Sequence, residues 1–329
     1  MAEKPTVYVT RRIPEAGLAL IRDTCRMRLW EGELPPPKEV LLQEVADCDG
    51  LLCLLTDPID AEVIGAGVRL RVISQMAVGV DNIDLRAATA RGIPVGHTPG
   101  VLTEATADFT FALLMAAARR IPEGVDYVRA GKWQTWEPMG LLGVDVWGAT
   151  LGIVGLGRIG AAVARRARGF AMRVLYYDPN RRPDLETELG AEYAELEDLL
   201  ASSDFVSLHC PLTSQTYHLI GEVELRRMKP TAILINAARG PVVDPDALVR
   251  ALSEGWIRAA ALDVTEPEPI PPDHPLVSLP NCIVVPHIAS ATVATRERMA
   301  AMAAENLLAG LRGERLPYCA NPEVYQRES

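Results

Sequence analysis

Over the first hundred residues, short aliphatic or β-branched runs alternate with stretches whose apolar positions recur at helical spacing. Residues 7–10, 27–30, 51–55, 72–75 and 94–96 are predicted strands. Residues 15–23, 38–46, 61–66 and 85–90 are predicted helices between them. Repeated β-α-β with short connections implies a parallel sheet covered by helices on both faces, a complete small α/β domain. A long helix is predicted from Thr103 to about Arg129, with Glu104 suited to its first turn and Gly131 to its end. The Trp-, Gly- and Pro-rich stretch GKWQTWEPMGLLGVDVWG follows and reads as an extended excursion. A second series then begins near Ala149. Its predicted strands are 151–154, 173–177, 205–208, 232–236, 259–263 and 283–285, and a last helix covers about 294–311. Six parallel strands with intervening helices describe a doubly wound nucleotide-binding sheet. The expected architecture is therefore α/β, two parallel-sheet domains with a cleft between them.

The composition narrows the function. With 329 residues, 49% of them hydrophobic and 23% charged, the chain is globular and long enough for two cores. The longest nearly unbroken apolar run, 109–118, falls well short of the roughly 18 residues that cross a bilayer. The opening MAEKPTVYVTRR has no apolar core of a signal peptide, so neither a membrane nor export is expected. A net charge of −10 argues against nucleic-acid binding, which rests on neutralising phosphates, but leaves room for a local cationic pocket. The six cysteines form no CxxC pair and read as free thiols of a cytoplasmic protein. No metal-ligand cluster is evident in the pattern.

Gly155-Leu156-Gly157-Arg158-Ile159-Gly160 matches G-x-G-x-x-G between an apolar run and an amphipathic helix, the context that motif requires. Gly155 permits the tight turn, Gly157 the approach of a pyrophosphate, and Gly160 close helix–strand packing. The helix start offers N–H groups to the phosphates, and Arg158 adds a charge. Asp178 ends the next predicted strand, where a carboxylate accepts from ribose hydroxyls and repels a 2′-phosphate. NAD(H) is therefore preferred. NADP(H) stays open, because Arg181 and Arg182 follow at once.

Three later predicted strands end in a candidate reactive group: Arg239 after 232–236, Glu268 after 259–263 and His287 after 283–285. In a parallel sheet those ends share one crevice. Imidazolium is a proton donor suited to ketone reduction, and a carboxylate such as Glu268 would favour the charged ring and orient it. Arg239 can grip a substrate carboxylate bidentately and polarise the carbonyl. His97, His209, His218 and His274 are expected in structural or local hydrogen-bonding roles.

VGLGRIG, LHCPLT, INAARGPVVD, ALDVTEPEP and PHIASAT together resemble the D-isomer-specific 2-hydroxyacid dehydrogenase family, over nearly the whole chain. Within it, VTRRIP, GLLCLLTD and ENLLAGLRGE are most similar to the glyoxylate/hydroxypyruvate reductase branch. The resemblance implies a flavodoxin-like substrate domain and a Rossmann nucleotide-binding domain inserted within it. Their boundaries would be 1–100 with 293–329, and 101–292, so the last helix would return to the N-terminal block. Arg239, Glu268 and His287 would be the substrate arginine, the histidine's partner and the proton donor. Asp263 would lie at the nicotinamide end, and Ile159, Cys210, Pro211, Thr216, Ala237 and Ser290 would line the cofactor. Backbone N–H groups of Val78 and Gly79 would bind the substrate carboxylate. Leu54, Met76 and Ser290 would complete the pocket, together with Trp136 from a partner subunit in a homodimer built on the 103–148 excursion.

The implied reaction is NAD(P)H-dependent reduction of glyoxylate and hydroxypyruvate to glycolate and D-glycerate. Asp178-Pro179 departs from the Gly-Arg pair of the mammalian-type enzymes, which use NADPH. Other activities of the same family, a broad 2-keto acid reductase or a phosphoglycerate dehydrogenase, remain alternatives. So does an NAD-responsive corepressor or scaffold.

Overall fold

The structure, a computed structural model, describes residues 3–327. The chain forms two compact units, one made of residues up to Leu102 and from Ala291 onward, the other of Thr103–Ser290.

In the first unit β1 (Thr6–Val9), α1 (Glu15–Thr24), β2 (Arg26–Leu29), α2 (Lys38–Val45) and β3 (Gly50–Cys53) follow in order. They lead into α3 (Ala61–Ala66), β4 (Val72–Gln75), α4 (Leu85–Ala90) and β5 (Val95–Gly96). The five strands pair in parallel in the order β2-β1-β3-β4-β5, the flavodoxin-like arrangement. β3 and β4 are buried along their whole length, as expected of inner strands covered on both faces. Asp60 and Asp84 cap α3 and α4 by accepting from first-turn N–H groups, which accounts for where those short helices start.

The second unit opens with a break that the hydrophobic pattern does not reveal. In place of one helix there are two, α5 (Thr103–Ala118) and α6 (Ile121–Arg129), with Arg120 left-handed at φ 52° between them. The cause is Pro122. A helix running through it would lack an amide donor and drive the ring against the carbonyl four residues earlier. That carbonyl, of Ala118, instead accepts from Val144 N–H at 2.9 Å, so the excursion satisfies the group that the break frees.

Next come β6 (Thr150–Val154), α7 (Arg158–Ala167), β7 (Arg173–Tyr177), α8 (Pro183–Leu189), β8 (Glu192–Tyr193) and α9 (Leu196–Ser202). The unit ends with β9 (Phe205–Leu208), α10 (Glu222–Arg227), β10 (Ile233–Asn236), α11 (Pro245–Ser253), β11 (Ala259–Leu262), α12 (Pro275–Ser278) and β12 (Cys282–Val284). The sheet has seven parallel strands rather than six, in the order β12-β11-β10-β9-β6-β7-β8. The additional strand, β8, is two residues long at the edge, too short to show alternation; Tyr193 holds it by packing edge-on against Tyr176 at 5.5 Å. Strand order reverses at β6, between β7 and β9, which is where doubly wound sheets bind ligands.

The last helix, α13 (Val293–Leu311), belongs to the first unit and packs on α1, β3 and β4. Small residues make the approach possible. A Cβ on Gly17 would meet Ala300 O at 2.6 Å, and Ser74 Oγ donates to Ala303 O at 2.7 Å.

Candidate active site

The glycine loop joins β6 to α7 at the switch point. Gly155 has φ 96°, and a Cβ there would come within 2.7 Å of Cys210 N, so no other residue fits. A Cβ on Gly160 would run into the Gly155 carbonyl, which confirms the close helix–strand packing. Gly157 differs: a Cβ there would meet nothing within 4 Å. Packing therefore does not demand that glycine, and the space beside its backbone is open, as the sequence expectation of a pyrophosphate approach would require. Gly157 precedes the first turn of α7, where Arg158 is exposed and Ile159 half-buried.

Asp178 follows β7 and is half-buried. Leu156 N–H donates to its Oδ2 at 3.0 Å and Asn180 N–H to its Oδ1 at 3.0 Å, so the carboxylate is locked against the glycine loop with acceptor capacity left over. Arg181 and Arg182 are both engaged by carboxylates, Arg181 by Glu186 at 2.7 Å and Arg182 by Asp184 at 2.9 Å. Across the loop, Cys210 is buried, and burial pushes its thiol up to about 11. Thr216 Oγ1 donates to Pro211 O at 2.6 Å and closes the turn after it. These residues fit a dinucleotide: two glycines forced by packing, one left open, a helix start and a fixed carboxylate.

β10, β11 and β12 are neighbours, and their carboxyl ends carry the three candidate reactive groups. Beyond β10, buried Asn236 braces the loop by donating to Arg239 O at 2.8 Å and accepting from Ala238 N–H at 3.0 Å. Ala237 and Arg239 are half-buried, and Arg239 Nη1 donates to Ala238 O at 2.9 Å. A Cβ on Gly240 would collide with Thr265 O, so glycine lets this loop lie directly on the segment after β11.

That segment is the hub of the site. Asp263, 2% exposed, commits both carboxylate oxygens to the loop after β12, accepting from Ile288 N–H at 2.7 Å and Ala289 N–H at 3.0 Å. Its own carbonyl accepts from His287 N–H at 2.9 Å. Three successive N–H groups are thus gripped by one residue, which accounts for the left-handed φ of 54° at His287, a conformation costly for a side chain with a Cβ. Burial raises the Asp263 carboxyl, and the two amide bonds oppose that rise. Expected at the nicotinamide end, Asp263 shows here as the brace of the histidine loop.

Five residues on, Glu268 Oε1 lies 2.6 Å from His287 Nδ1. With Nδ1 taken by the carboxylate, Nε2 is the ring nitrogen left to exchange a proton. Glu266 makes a similar bond to His218 Nε2 at 2.6 Å, with Tyr217 OH at 3.3 Å. Ser290 follows the histidine loop and is 9% exposed.

The substrate-pocket candidates of the first unit form their own group. Leu54 follows β3 and is half-buried, Met76 follows β4 and is 4% exposed, and Val78 and Gly79 lie half-buried in the next turn. Trp136 stands 79% exposed on the excursion of the second unit. The sequence offers no local signal for Asn236, for the grip of Asp263 on the histidine loop, or for the His218–Glu266 bond. Of the remaining histidines, His97 Nδ1 bonds Val78 O at 2.9 Å, His209 Nε2 bonds Ser207 Oγ at 2.8 Å, and His274 Nδ1 accepts from Leu276 N–H at 3.2 Å. Among the described residues no group of three His, Cys, Asp or Glu converges as a metal site, and no helix is long and apolar enough to cross a membrane.

Known proteins resemble this chain in sequence and in fold. Residues 111–289 match the family described as D-isomer specific 2-hydroxyacid dehydrogenase, NAD binding domain. A glyoxylate reductase of Korarchaeum cryptofilum is 63% identical over 322 residues, covering 98% of this chain and 97% of that protein. One from Thermococcus litoralis is 51% identical, covering 98% of each. Among solved structures, the TT0316 protein of Thermus thermophilus superimposes with a TM-score of 0.91 at 50% identity, covering 96% of this chain and 99% of that one. An NADPH-dependent glyoxylate/hydroxypyruvate reductase of Sinorhizobium meliloti, solved with NADP and malonate, gives 0.86 at 30% identity, covering 97% and 98%. With two parallel α/β sheets, a glycine loop at the switch point and an Arg, Glu and His at adjacent strand ends, this chain belongs to the D-isomer specific 2-hydroxyacid dehydrogenases, oxidoreductases that use a nicotinamide cofactor.

Proposed function

We propose that the protein reduces glyoxylate and hydroxypyruvate to glycolate and D-glycerate, preferring NADH. The observation that carries this is His287, its Nδ1 bonded to Glu268 at 2.6 Å and its backbone gripped by Asp263, at the end of the strand two places from that of Arg239. Its weight comes from the family and from relatives named glyoxylate reductase. A reduced nicotinamide cofactor, which the glycine loop and Asp178 would hold, would supply the hydride to the carbonyl carbon. Arg239 binds the substrate carboxylate and draws electron density toward the carbonyl oxygen. His287 gives its Nε2 proton to that oxygen, and Glu268 holds the ring in place while it does so. The first unit is the substrate-binding domain, with Val78 and Gly79 N–H groups on the carboxylate. Leu54, Met76 and Trp136 are uncharged, which suits a small substrate better than a phosphorylated one.

NADH preference rests on Asp178, fixed by two backbone amides where the adenosine ribose is bound in this fold. Arg181 and Arg182 would have to leave Glu186 and Asp184 to take up a 2′-phosphate. A homodimer fits the apolar surface of the second unit. Helix α6 buries none of its residues and exposes Ile121 and Val128, and the excursion exposes Trp133, Trp136 and Trp147. Six free cysteines, four of them buried, are in keeping with a reducing cytoplasm.

Steady-state kinetics with glyoxylate, hydroxypyruvate and pyruvate, each with NADH and NADPH, test the whole proposal. It expects high kcat/KM for the first two substrates, with NADH ahead. If NADPH led, the cofactor preference would fall and Arg181 and Arg182 would take its place. No turnover with any of the three would remove the substrate assignment.

A further inference from the structure

The turn that follows β4 has three successive carbonyls pinned by hydrogen bonds. Ala77 O accepts from Thr98 N–H at 2.8 Å, Val78 O from His97 Nδ1 at 2.9 Å, and Gly79 O from Gln75 Nε2 at 2.7 Å. All three peptides are trans, so each N–H points away from the partner that holds its carbonyl. Fixing the carbonyls of residues 77 to 79 therefore aims the N–H groups of Val78, Gly79 and Val80, and none of these N–H groups is taken by another described residue. A donor set of this kind fits an anion.

Two of the three pins are side chains, and both are themselves held. Gln75 is fully buried and forms a reciprocal amide pair with Asn82: Gln75 Nε2 donates to Asn82 Oδ1 at 2.6 Å, and Asn82 Nδ2 donates to Gln75 Oε1 at 3.0 Å. Asn82 Nδ2 also donates to Leu54 O at 3.1 Å and Asp57 O at 2.8 Å. One amide pair thus ties the turn after β4 to the turn after β3, the two segments that carry Leu54, Met76, Val78 and Gly79. His97 is anchored through its backbone, its N–H donating to Tyr318 O at 3.2 Å and its carbonyl accepting from Asn306 Nδ2 at 2.9 Å. The returning C-terminal segment therefore sets the height of the imidazole. A polar network anchored on a buried side chain, with its members paired, favours one geometry, because leaving a buried member unpaired is costly.

We infer that His97 and the Gln75–Asn82 pair are positioning residues for substrate: they orient the backbone N–H groups of the 78–80 turn toward the substrate carboxylate. This rests on the proposed reduction of small 2-keto acids and on the placement of that carboxylate at Val78 and Gly79. The three side chains touch no reacting atom. Their effect is on how well the anion is held, and so on KM rather than on the chemical step.

The test compares His97→Ala, His97→Asn and Asn82→Ala with the wild type. The readouts are kcat and KM for glyoxylate, the Kd for NADH by fluorescence, and the melting temperature. The expected result is a rise in KM of about tenfold in His97→Ala and Asn82→Ala, with kcat within about threefold of wild type and NADH binding unchanged. Asparagine places its amide nitrogen near the position of Nδ1, so His97→Asn should bring KM back to within about threefold of wild type. A purely structural role would not be rescued in this way. Should His97→Ala fail to fold, Asn82→Ala carries the same expectation through Gln75, and His97→Asn must still keep a near-normal KM. Unchanged KM in both alanine variants overturns the inference while the proposed function stands. So does a fall in kcat and NADH affinity together without rescue by asparagine. Absence of glyoxylate reduction in the wild type overturns the function itself, and the inference with it.

Discussion

Two histidines of the second unit each lie 2.6 Å from a glutamate of the same short segment, His287 from Glu268 and His218 from Glu266. Both have a left-handed backbone, φ 54° and 50°. By the contact alone they are equivalent. They differ in the nitrogen they use. His287 bonds through Nδ1, the nitrogen nearer its backbone, and keeps Nε2 at the tip of the ring. His218 spends Nε2 on Glu266, and one face of its ring is stacked on Tyr217 at 4.0 Å. The backbones differ as well. His287 sits just past β12 in a loop gripped by Asp263, whereas His218 lies in the connection after β9 with its N–H on Pro241 O. A histidine–carboxylate contact therefore does not mark a proton donor. Under the proposed reading the proton donor is the histidine whose ring tip is left free at the carboxyl end of a parallel strand, and the second pair would act as a strut for the segment that presents Glu268.

The largest effect that separates the two pairs is on turnover. His287→Ala should lower kcat for 2-keto acid reduction by about a hundredfold or more, the scale of a lost general acid, while His218→Ala stays within about threefold. Equal losses, measured side by side at saturating cofactor, would erase the distinction. Arg239→Lys should come next, with kcat/KM for the keto acid down by about tenfold or more, since lysine lacks the bidentate fork; unchanged kinetics would take the substrate anchor away from Arg239. Between the glutamates the contrast is smaller. Glu268→Gln should reduce kcat by about tenfold through a poorly held ring, and Glu266→Gln should act chiefly on the melting temperature. If Glu266→Gln proved the slower enzyme of the two, the strut would be the working pair.

How much of this the sequence displays depends on the range of the interaction. Strand ends fell within one or two residues of their expected places because each inner strand is a buried apolar run bounded by polar turns. Glycines 155 and 160 were recognisable because backbone contacts forbid a Cβ at both. The break at Arg120 was missed because apolar spacing continues through it, although Pro122 was visible, and β8 was missed because two edge residues carry no period. In the site, Arg239, Glu268 and His287 stood out as reactive types after strands. Asn236 and the Gln75–Asn82 pair did not, and Asp263 was expected at the nicotinamide end, not as the brace of the histidine loop. Their work is side chain to backbone across loops, as when Asp263 reaches Ile288 N–H and Asn82 reaches Leu54 O, and no local pattern encodes a partner so far along the chain.

A third histidine extends the contrast, because it has no carboxylate at all. His209 lies beside the glycine loop, where a Cβ on Gly155 would meet its carbonyl carbon at 2.8 Å. Nε2 bonds Ser207 Oγ at 2.8 Å, and Nδ1 is buried with no partner among the described residues. With no counter-charge, burial pushes its pKa down to about 4 from the usual 6.5. The consequence for stability has a definite sign. Above pH 6.5 the ring is neutral in folded and unfolded chains alike, so stability is unaffected. As the pH falls below 6.5 the unfolded chain takes up a proton that the folded protein refuses, and stability drops until about pH 4, where both bind it. His209→Gln can keep a polar partner for Ser207 without a titratable ring. Its melting temperature should therefore fall by a few degrees less than that of the wild type between pH 6.5 and 4.5. Parallel melting curves for the two proteins across that window would mean that His209 titrates as an exposed histidine does, and that burial without a counter-charge leaves no mark on its protonation.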